Sequence, residues 1–505
     1  MPVYWKNWDR MGREEMRERQ GAALHRFLEE QVLSYSPFYR ELFKREGLTA
    51  DDIRSLADLP KIPFTTKSDL APSQDDPAKP RRFILQPNPA TYASTIPLGK
   101  KLSLVWGKMT SGRTMQDIVA DEYLPVFFIA TTGRTAQPTP FVYTRRDMVK
   151  FAEASRRVFA IAGLRRTEDF VVNVFPYAPH LAFWIVHQGG VQTSAALFHT
   201  GGGRVMGTDR IIPLIERNRA TILVGIPGYV YHILRLARDR GCDCSSVRLI
   251  VLGAERVTRG LKKQLKGLLE SMGSKDPVIL STYGFTEART AWIECPSRMS
   301  IEQSTRYHLY PDMEILEIVD VDSGEAVGEG ESGEVVYTSL DWRGSVVLRY
   351  RTGDYARGGI VTEPCPVCGR SVPRLTADLT RLSDRSELRL SKVKGTLVDF
   401  NEFFSILNDA TEVVEWQVEI TKRNEDPNDL DEIHIHLAVT SKCDQGELIQ
   451  YLRRKMRERM ELLPTQIHFR SAAEMADRLQ IDTRPKEMRI IDRRPELLAA
   501  QEEKA

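Results

Sequence analysis

The sequence predicts an α/β protein with a large N-terminal domain and a small α+β domain at the C-terminus. Two observations lead to this prediction. Buried strands alternate with amphipathic helices between residues 170 and 281, and the texture of the chain changes beyond Asp384. Such alternation favours a layered domain built on a largely parallel sheet. With 505 residues, 42% of them hydrophobic, the chain is long enough for two or more domains.

The first elements are helical. A helix is predicted from about Arg13 to Glu46, with its first part ending at Ser36-Pro37-Phe38-Tyr39, because its apolar residues recur on one face. Thr66 follows a proline-punctuated extended segment and is placed to cap a short helix. The apolar run from Tyr123 to Ala130 is predicted to be a buried strand.

The alternating region and the C-terminal region are predicted as follows. Strands are expected at 141–143, 170–175, 221–224, 249–252 and 278–281, and helices at 146–162, 229–238 and 260–272. After a charged linker at 381–394, helices are expected at 399–408 and 445–460, and strands at 413–420, 433–439 and 466–469. The predicted units are therefore a domain over 1–380, a hinge and linker over 381–394, and a domain over 395–505.

Charge and composition exclude several classes of protein. Lys and Arg together number 71 and Asp and Glu 69, so the net charge of +2 indicates no nucleic acid or anionic membrane as partner. No apolar run is long enough to span a bilayer, and the charged N-terminus has no signal-peptide core. A cytoplasmic location is therefore expected. Six cysteines in a chain of this length do not form a disulfide framework.

Polar groups at strand ends are the first candidates for chemistry. The alternating stretch 335–356 predicts a strand that ends in a glycine turn at Asp354. A carboxylate there can accept two hydrogen bonds from a vicinal diol such as a ribose. The alternative is an Asx turn that closes a hairpin. The turn from Gly253 to Glu255, at another strand end, has a backbone that could line a nucleotide pocket.

Two further stretches add phosphate and base-binding groups. The loop from Thr131 to Thr139 offers backbone N–H groups and hydroxyls that could cradle a phosphate, although a polar hairpin loop is an equal alternative. After the strand at 278–281, Tyr283 offers a ring for stacking on a base, Thr286 a hydroxyl, and Glu287 an oxygen ligand for Mg²⁺. The alternative there is a turn with an ordinary exposed glutamate.

In this order along the chain, the motifs resemble those of the adenylate-forming superfamily of acyl-CoA ligases, and most closely the phenylacetate-CoA ligase family. The likeness spans nearly the whole chain and includes a C-terminal lysine, Lys486. Stretches typical of that branch are Ser36-Pro37-Phe38-Tyr39-Arg40, Pro63-Phe64-Thr65-Thr66-Lys67 and Cys368-Gly369-Arg370. The resemblance implies a large adenylation domain and a small, mobile C-terminal domain. It also implies ATP, Mg²⁺ and CoA as ligands and an aryl or arylalkyl carboxylic acid as substrate.

The resemblance also implies a role for each matching residue. The ATP phosphates would be held by Thr131, Thr132, Gly133, Arg134 and Thr135. The adenine and acyl pocket would be bordered by Gly253, Ala254 and Glu255. Tyr283, followed by Gly284, would pack on adenine, Thr286 would touch phosphate, and Glu287 would bind Mg²⁺. Asp354 would hold the ribose, Arg381 would contact ribose or phosphates, and Asp384 would form the hinge. Lys486 would reach both the carboxylate and the α-phosphate, and with Glu287 and Thr286 it completes the catalytic set.

The acyl pocket and a metal site are the remaining expectations. The family places acyl-pocket residues at Phe175, Tyr177, His180 and Trp184, with a packed helix face as the alternative. Cys365 and Cys368 form a Cys-x-x-Cys pair, and the ligands expected to complete a zinc site with them are Cys295 and His308. A homodimer is kept as a candidate assembly.

Departures from the family pattern keep other functions open. Arg134 and Ala136 stand where the phosphate loop usually carries other residues, and Ala136 restricts the backbone relative to glycine. One alternative keeps adenylation but passes the acyl group to an amine or another non-CoA nucleophile. Another is a catalytically silent homologue that binds a nucleotide or acyl ligand, which the retention of Glu287, Asp354 and Lys486 argues against.

Overall fold

A computed structural model describes most of the chain. The described residues are 4–73, 75–88, 92, 96, 101, 114–131, 138–177, 180–299, 301, 303–382, 391–393, 396–398, 401–425, 430–441, 443–460, 462–479 and 489–494. The fold is of the α/β class with a separate sheet near the C-terminus, which confirms the predicted fold class. The residue boundaries between the predicted domains stay a prediction.

A six-stranded sheet forms the centre of the N-terminal region. Its strands are β3 (Phe170–Asn173), β4 (Ala196–His199), β5 (Ile222–Gly225), β6 (Leu249–Leu252), β7 (Val278–Phe285) and β8 (Thr290–Ile293). Their order in the sheet is β4-β3-β5-β6-β7-β8, and all are parallel except the antiparallel edge strand β8. Every residue of β5 and β6 is buried, as expected for strands covered on both faces.

Helices cover the sheet and precede it. They are α1 (Arg13–Phe27), α2 (Pro37–Glu46), α3 (Lys67–Leu70), α4 (Met115–Tyr123), α5 (Arg145–Ile161), α6 (Leu181–Thr193), α7 (Thr208–Arg217), α8 (Pro227–Asp239) and α9 (Arg259–Ser271). The helix predicted from Arg13 is interrupted by a π-helical turn at Leu28–Val32 and ends before Pro37. Thr66 caps α3, as predicted: its hydroxyl lies 2.6 Å from the Asp69 carboxylate. None of the helices described is long and apolar enough to span a bilayer.

The prediction of a buried strand at 123–130 is wrong in part. A strand does form there, β1 (Pro125–Ala130), but it pairs only with β2 (Pro140–Thr144) in a two-stranded antiparallel hairpin. Its side chains alternate, so that Val126 and Phe128 are 51% and 57% exposed. An apolar run cannot by itself distinguish a strand covered on both faces from one covered on a single face.

Smaller antiparallel sheets follow the central sheet. Their strands are β9 (Tyr307–His308), β10 (Glu314–Val319), β11 (Gly333–Ser339), β12 (Tyr350–Ala356), β13 (Ile360–Val361), β14 (Arg374–Leu375) and β15 (Leu379–Arg381). One sheet has the order β10-β11-β12-β15 and another the order β13-β14-β9. A short hairpin of β16 (Ser391–Val393) and β17 (Thr396–Val398) comes next.

The C-terminal region has its own sheet of order β20-β19-β18-β21. Its elements are α10 (Asn401–Asp409), β18 (Val413–Lys422), β19 (Asp431–Val439), α11 (Gln445–Met460), β20 (Gln466–Phe469), α12 (Ala472–Leu479) and β21 (Ile490–Asp492). One face of this sheet packs on α10 and α11 around Trp416, Ile435 and Leu452. The other face carries α12, whose Met475 and Leu479 join the core formed by α8 and α9.

Candidate functional site

The centre of the candidate site is a carboxylate on β12. The β12–β15 pairing sets Asp354 opposite Arg381, and Asp354 Oδ1 lies 3.1 Å from Arg381 Nε. The Tyr283 hydroxyl, from the end of β7, donates to Asp354 Oδ2 at 2.7 Å. The attraction of Asp354 raises the pKa of Arg381, so the guanidinium remains charged. The fold thus brings together three of the predicted nucleotide-binding residues, which lie up to 98 positions apart.

A second carboxylate lies beside this cluster. The Tyr350 hydroxyl, at the start of β12, donates to Glu287 Oε1 at 2.8 Å. Burial raises the pKa of the Glu287 carboxyl, and burial is also the main reason that the pKa of Tyr350 lies well above its usual value. Glu287 and Asp354 both act on Arg381 electrostatically. Tyr350 was missed as a site residue, although it begins the Tyr-Arg-Thr-Gly-Asp motif that contains Asp354.

The N-terminal motifs hold the strand that carries Asp354. Thr65 pairs with the first residue of β12: its N–H donates to Arg349 O at 3.0 Å, and its carbonyl accepts from Arg351 N at 2.9 Å. The Tyr39 hydroxyl lies 2.9 Å from Thr65 Oγ1 and accepts from Leu348 N at 2.7 Å. The segments that resemble the phenylacetate-CoA ligase branch therefore position β12.

The predicted strand-end turns lie at the carboxyl ends of β6 and β7. A Cβ at Gly253 would lie 2.4 Å from Thr282 Oγ1, so only glycine allows these strand ends to approach as they do. Ala254 has a φ of 71°, which costs free energy for any residue with a side chain. Gly284 is exposed, and Thr286 is half-buried in the turn between β7 and β8. The Tyr283 ring stacks on Trp292 and Tyr307, at centroid distances of 5.6 and 6.0 Å.

Part of the predicted site lies outside the described residues. Thr131 is described, and it closes the base of its loop through mutual hydrogen bonds with Thr139 of 3.0 and 3.1 Å. Six predicted site residues lie outside the described residues: Thr132, Gly133, Arg134, Thr135, the hinge residue Asp384 and Lys486.

The predicted acyl-pocket residues gather near the end of β3 and the start of α6. Phe175 is buried and lines a small apolar cavity of about 60 Å³ between the sheet, α5 and α6. Tyr177 is 63% exposed, and its ring contacts Phe183 and Trp184 at 5.3 and 5.8 Å. His180 lies immediately before α6. The aromatic side chains therefore form one cluster, beside the carboxyl edge of the sheet.

A row of polar side chains beside this cluster was not predicted. Asn173 Nδ2 donates to His199 Nδ1 at 3.0 Å, and His199 Nε2 lies 3.3 Å from His187 Nδ1. Burial lowers the pKa of His199, which favours the neutral ring. Phe183 packs on His199 at 5.0 Å. The three polar residues lie on β3, α6 and β4. Because β4 was not predicted and a helix at α6 was only the alternative to an acyl pocket, nothing in the sequence grouped these residues.

The four predicted zinc ligands come together. The ligand atoms of Cys295, His308, Cys365 and Cys368 all lie within 4.8 Å of one another. Cys295 Sγ is 3.7 Å from Cys365 Sγ, and Cys368 Sγ is 3.3 Å from His308 Nε2. Two sulfur ligands of one tetrahedral Zn²⁺ should be about 3.8 Å apart, given Zn–S bonds of about 2.3 Å. His308 Nδ1 lies 3.3 Å from Ile293 O, which leaves Nε2 directed at the cluster.

Comparison with known families defines the class of this protein. The family model described as "AMP-binding enzyme" matches residues 60–341, more than half of the chain, and the chain belongs to that family. This confirms the resemblance to adenylate-forming enzymes.

Individual proteins similar to this chain belong to a narrower class than the family model, the phenylacetate-coenzyme A ligases. The chain is 28% identical over 399 residues to a phenylacetate-coenzyme A ligase of Thermus thermophilus, covering 79% of this chain and 77% of that protein. It is 26% identical over 356 residues to the Escherichia coli phenylacetate-coenzyme A ligase, covering 70% and 67%. These matches confirm the predicted branch of the superfamily.

A solved structure shares the fold over nearly the full length. 2-Hydroxyisobutyryl-CoA ligase in its postadenylation state matches with a TM-score of 0.72 at 17% identity, covering 99% of this chain and 94% of that one. The same enzyme in its thioesterification state, with CoA bound, matches with a TM-score of 0.59 at 18% identity, covering 100% and 97%. The match supports the two-domain architecture.

Proposed function

We propose that this protein activates a carboxylic acid with ATP, releasing pyrophosphate, and then transfers the acyl group from the adenylate to CoA. The observation that carries the proposal is the convergence of Asp354, Arg381, Tyr283 and Glu287. Membership of the AMP-binding enzyme family and similarity to phenylacetate-coenzyme A ligases support the same reaction. An aryl or arylalkyl acid is the proposed substrate, because the rings of Tyr177, Phe183 and Trp184 contact one another, and Phe175 lies close to Gly253 at a strand-end turn of the site.

The nucleotide would be positioned by Asp354. Asp354 Oδ1 lies beside Arg381 Nε, and Oδ2 accepts a hydrogen bond from Tyr283; because a carboxylate can accept about four hydrogen bonds, the same oxygens can also accept from ribose hydroxyls. The Arg381 guanidinium fixes the carboxylate and places positive charge near the phosphates. Because the partners hold the carboxylate in one orientation before ATP arrives, little side-chain entropy is lost on binding.

The reaction requires two anions to approach each other. A carboxylate oxygen attacks the α-phosphorus, and the bond to the pyrophosphate oxygen breaks. Glu287 would hold Mg²⁺, which would offset the charge on the phosphate oxygens. The half-buried position of Glu287 strengthens its attraction to a cation. Lys486 would supply positive charge from the C-terminal domain, at the carboxylate and the α-phosphate.

Lys486 can be separated from nucleotide binding by mutation. Lys486→Ala is expected to abolish adenylate formation and to leave ATP affinity nearly unchanged. Lys455→Ala is a matched control, because Lys455 is a lysine of α11 paired with Glu458 on the surface of the same domain. Undiminished adenylation in Lys486→Ala would remove this lysine from the mechanism.

The reaction class is tested by acid-dependent exchange between ATP and labelled pyrophosphate. A panel of aromatic, arylalkyl and aliphatic acids identifies the activated substrate, and CoA is then added to each acid that supports exchange. CoA-dependent release of AMP with formation of a thioester is the expected result. Exchange that CoA does not convert into a thioester would favour an amine or other acceptor, and ATP binding without exchange on any acid would favour a silent homologue.

We also propose that Cys295, His308, Cys365 and Cys368 hold a structural Zn²⁺. The sulfur–sulfur distance of 3.7 Å and the burial of three of the four ligands support a closed tetrahedral site. Such an ion would tie the loop before β9 to the loop that contains Cys365. Gently purified protein should contain one tightly bound zinc, which Cys368→Ser loses and Cys443→Ser keeps. Wild-type protein without stoichiometric metal would contradict this proposal.

A further inference from the structure

Three histidines on adjacent strands mark a second candidate site, in the C-terminal region. His434 and His436 are two residues apart on β19, so their side chains lie on the same face of the sheet. His468, on the neighbouring parallel strand β20, pairs with His436. This face is opposite to the one that packs on α10 and α11. It contains an open pocket of about 440 Å³, which the three imidazoles line together with Glu419 and Glu432.

Two of the three rings already have nitrogens at the spacing of metal ligands. His434 Nδ1 lies 3.2 Å from His468 Nε2. Two imidazole nitrogens on one tetrahedral ion are about 3.3 Å apart, given metal–nitrogen bonds of about 2.0–2.1 Å. The His436 ring is stacked on the His468 ring, at a centroid distance of 4.7 Å and an angle of 11°. A turn of the His436 side chain would be needed to direct its nitrogen at the same ion.

A carboxylate lies beside two of the three rings. Glu432 Oε2 lies 3.2 Å from His434 Nε2, and Glu419 Oε2 lies 3.4 Å from His436 Nε2. When a carboxylate accepts a hydrogen bond from Nε2–H of an imidazole, as Glu432 can from His434, the lone pair on Nδ1 is left to bind a metal. His436 is buried, and neither of its ring nitrogens has a hydrogen-bond partner in the part of the chain that the structure describes.

The cationic side chains near the pocket contact carboxylates, and Arg478 and Arg493 share one of them, Glu419. Arg478 Nη2 lies 2.8 Å from Glu419 Oε2, and Arg493 also contacts Glu419. Lys422 Nζ lies 3.0 Å from Asp431 Oδ1. These ion pairs reduce the repulsion that a bound cation would otherwise meet.

We propose that His434, His436 and His468 bind a divalent transition-metal ion, with zinc as the representative case. Imidazole ligands suit Zn²⁺, Ni²⁺ and Cu²⁺ rather than Mg²⁺ or Ca²⁺, which prefer oxygen. Because the pocket is open, water completes the coordination, and the ion exchanges more readily than one enclosed by three thiolates. The site does not depend on the proposed acyl-CoA ligase activity.

Zinc titration of the full-length chain, after mild chelation, tests the proposal. Wild-type protein is expected to bind a second, exchangeable ion in addition to the one retained at the Cys295 cluster. His468→Gln should abolish only the exchangeable ion. Glu432→Gln, which removes an orienting carboxylate and no ligand, should weaken it by about 10–100-fold. His25→Ala is the control, since His25 contacts backbone carbonyls of the N-terminal region.

Cobalt substitution gives an independent readout that does not require counting ions. Co²⁺ at the histidine site should give only weak visible bands, whereas Co²⁺ at the cysteine cluster adds intense thiolate charge-transfer absorption. The weak component alone should disappear in His468→Gln. A wild-type chain that binds no exchangeable ion, or one whose exchangeable ion survives both His468→Gln and Glu432→Gln, would overturn the proposal. Binding of inorganic phosphate instead, lost in His468→Gln, would reassign the pocket to an anion.

Discussion

Replacement of Asp354 by asparagine should selectively remove recognition of the ribose. Asp354→Asn keeps the shape of the side chain but replaces one carboxylate oxygen by an amide nitrogen, which cannot accept a hydrogen bond. In the structure, the two oxygens of Asp354 contact Arg381 at 3.1 Å and Tyr283 at 2.7 Å. The proposed ribose contacts are made to the same two oxygen atoms.

The expected loss is about 1.5–3 kcal/mol in ATP binding, because one charge-assisted hydrogen bond is removed and the other is weakened. This corresponds to an affinity that is about 10–150-fold lower. Isothermal titration with ATP and with 2′,3′-dideoxy-ATP measures the effect directly. Wild-type protein should prefer ATP by a similar factor, and Asp354→Asn should lose most of that preference.

Tyr283→Phe is the matched control, because it removes only the 2.7 Å hydrogen bond from the protein to Asp354. It should lower stability while retaining most of the discrimination between ATP and its dideoxy analogue. If Asp354→Asn binds ATP more weakly but still discriminates as well as the wild type, then Asp354 acts by holding Arg381. The ribose assignment would then be refuted.

Three further predictions concern the buried charges and close contacts around the site. Burial raises the pKa of Glu314 from 4.5 to about 8, so the folded state holds a proton that the unfolded state has lost between these pH values. Stability should therefore fall as pH rises through that window, by about 1.4 kcal/mol per pH unit, and urea unfolding of Glu314→Gln should lack this fall. Lys262 Nζ lies 2.7 Å from the buried carboxylate of Glu294, and Lys262→Met removes this cation. The free energy of unfolding, measured by heat or urea, should fall by about 3–5 kcal/mol, and a fall below about 1 kcal/mol would contradict this. Gly253→Ala should lower ATP affinity, because its Cβ would lie 2.4 Å from Thr282 Oγ1, and the double variant Gly253→Ala/Thr282→Ala should recover part of the loss.

The sequence predicted the bounds of several elements. The helix at Gln445–Met460 and the partly exposed strand at Gln466–Phe469 have the predicted bounds. So does the strand at Leu249–Leu252, which is buried throughout and whose continuous apolar run, flanked by polar turns, leaves little choice. The strand β1 shows the limit of this reasoning, because the burial of Phe128 depends on which other elements cover that face of the hairpin, and the strand's own sequence does not encode this.

Pairing across distant segments was predictable only through the resemblance. Nothing in the spacing of Cys295 and Cys365, 70 positions apart, requires their sulfur atoms to meet. The contact of Tyr350 with Glu287 depends in the same way on how β12 lies beside the turn after β7. Magnesium, a homodimer and a cytoplasmic location stay predictions.

The central claim is that the acid is activated as an acyl-adenylate, and an oxygen-transfer experiment tests it most directly. An acid that supports pyrophosphate exchange is labelled with ¹⁸O in its carboxylate and converted to the thioester with ATP and CoA. Because a carboxylate oxygen attacks the α-phosphorus, the released AMP should carry one ¹⁸O atom. Unlabelled AMP, or ¹⁸O in inorganic phosphate with release of ADP, would contradict the claim.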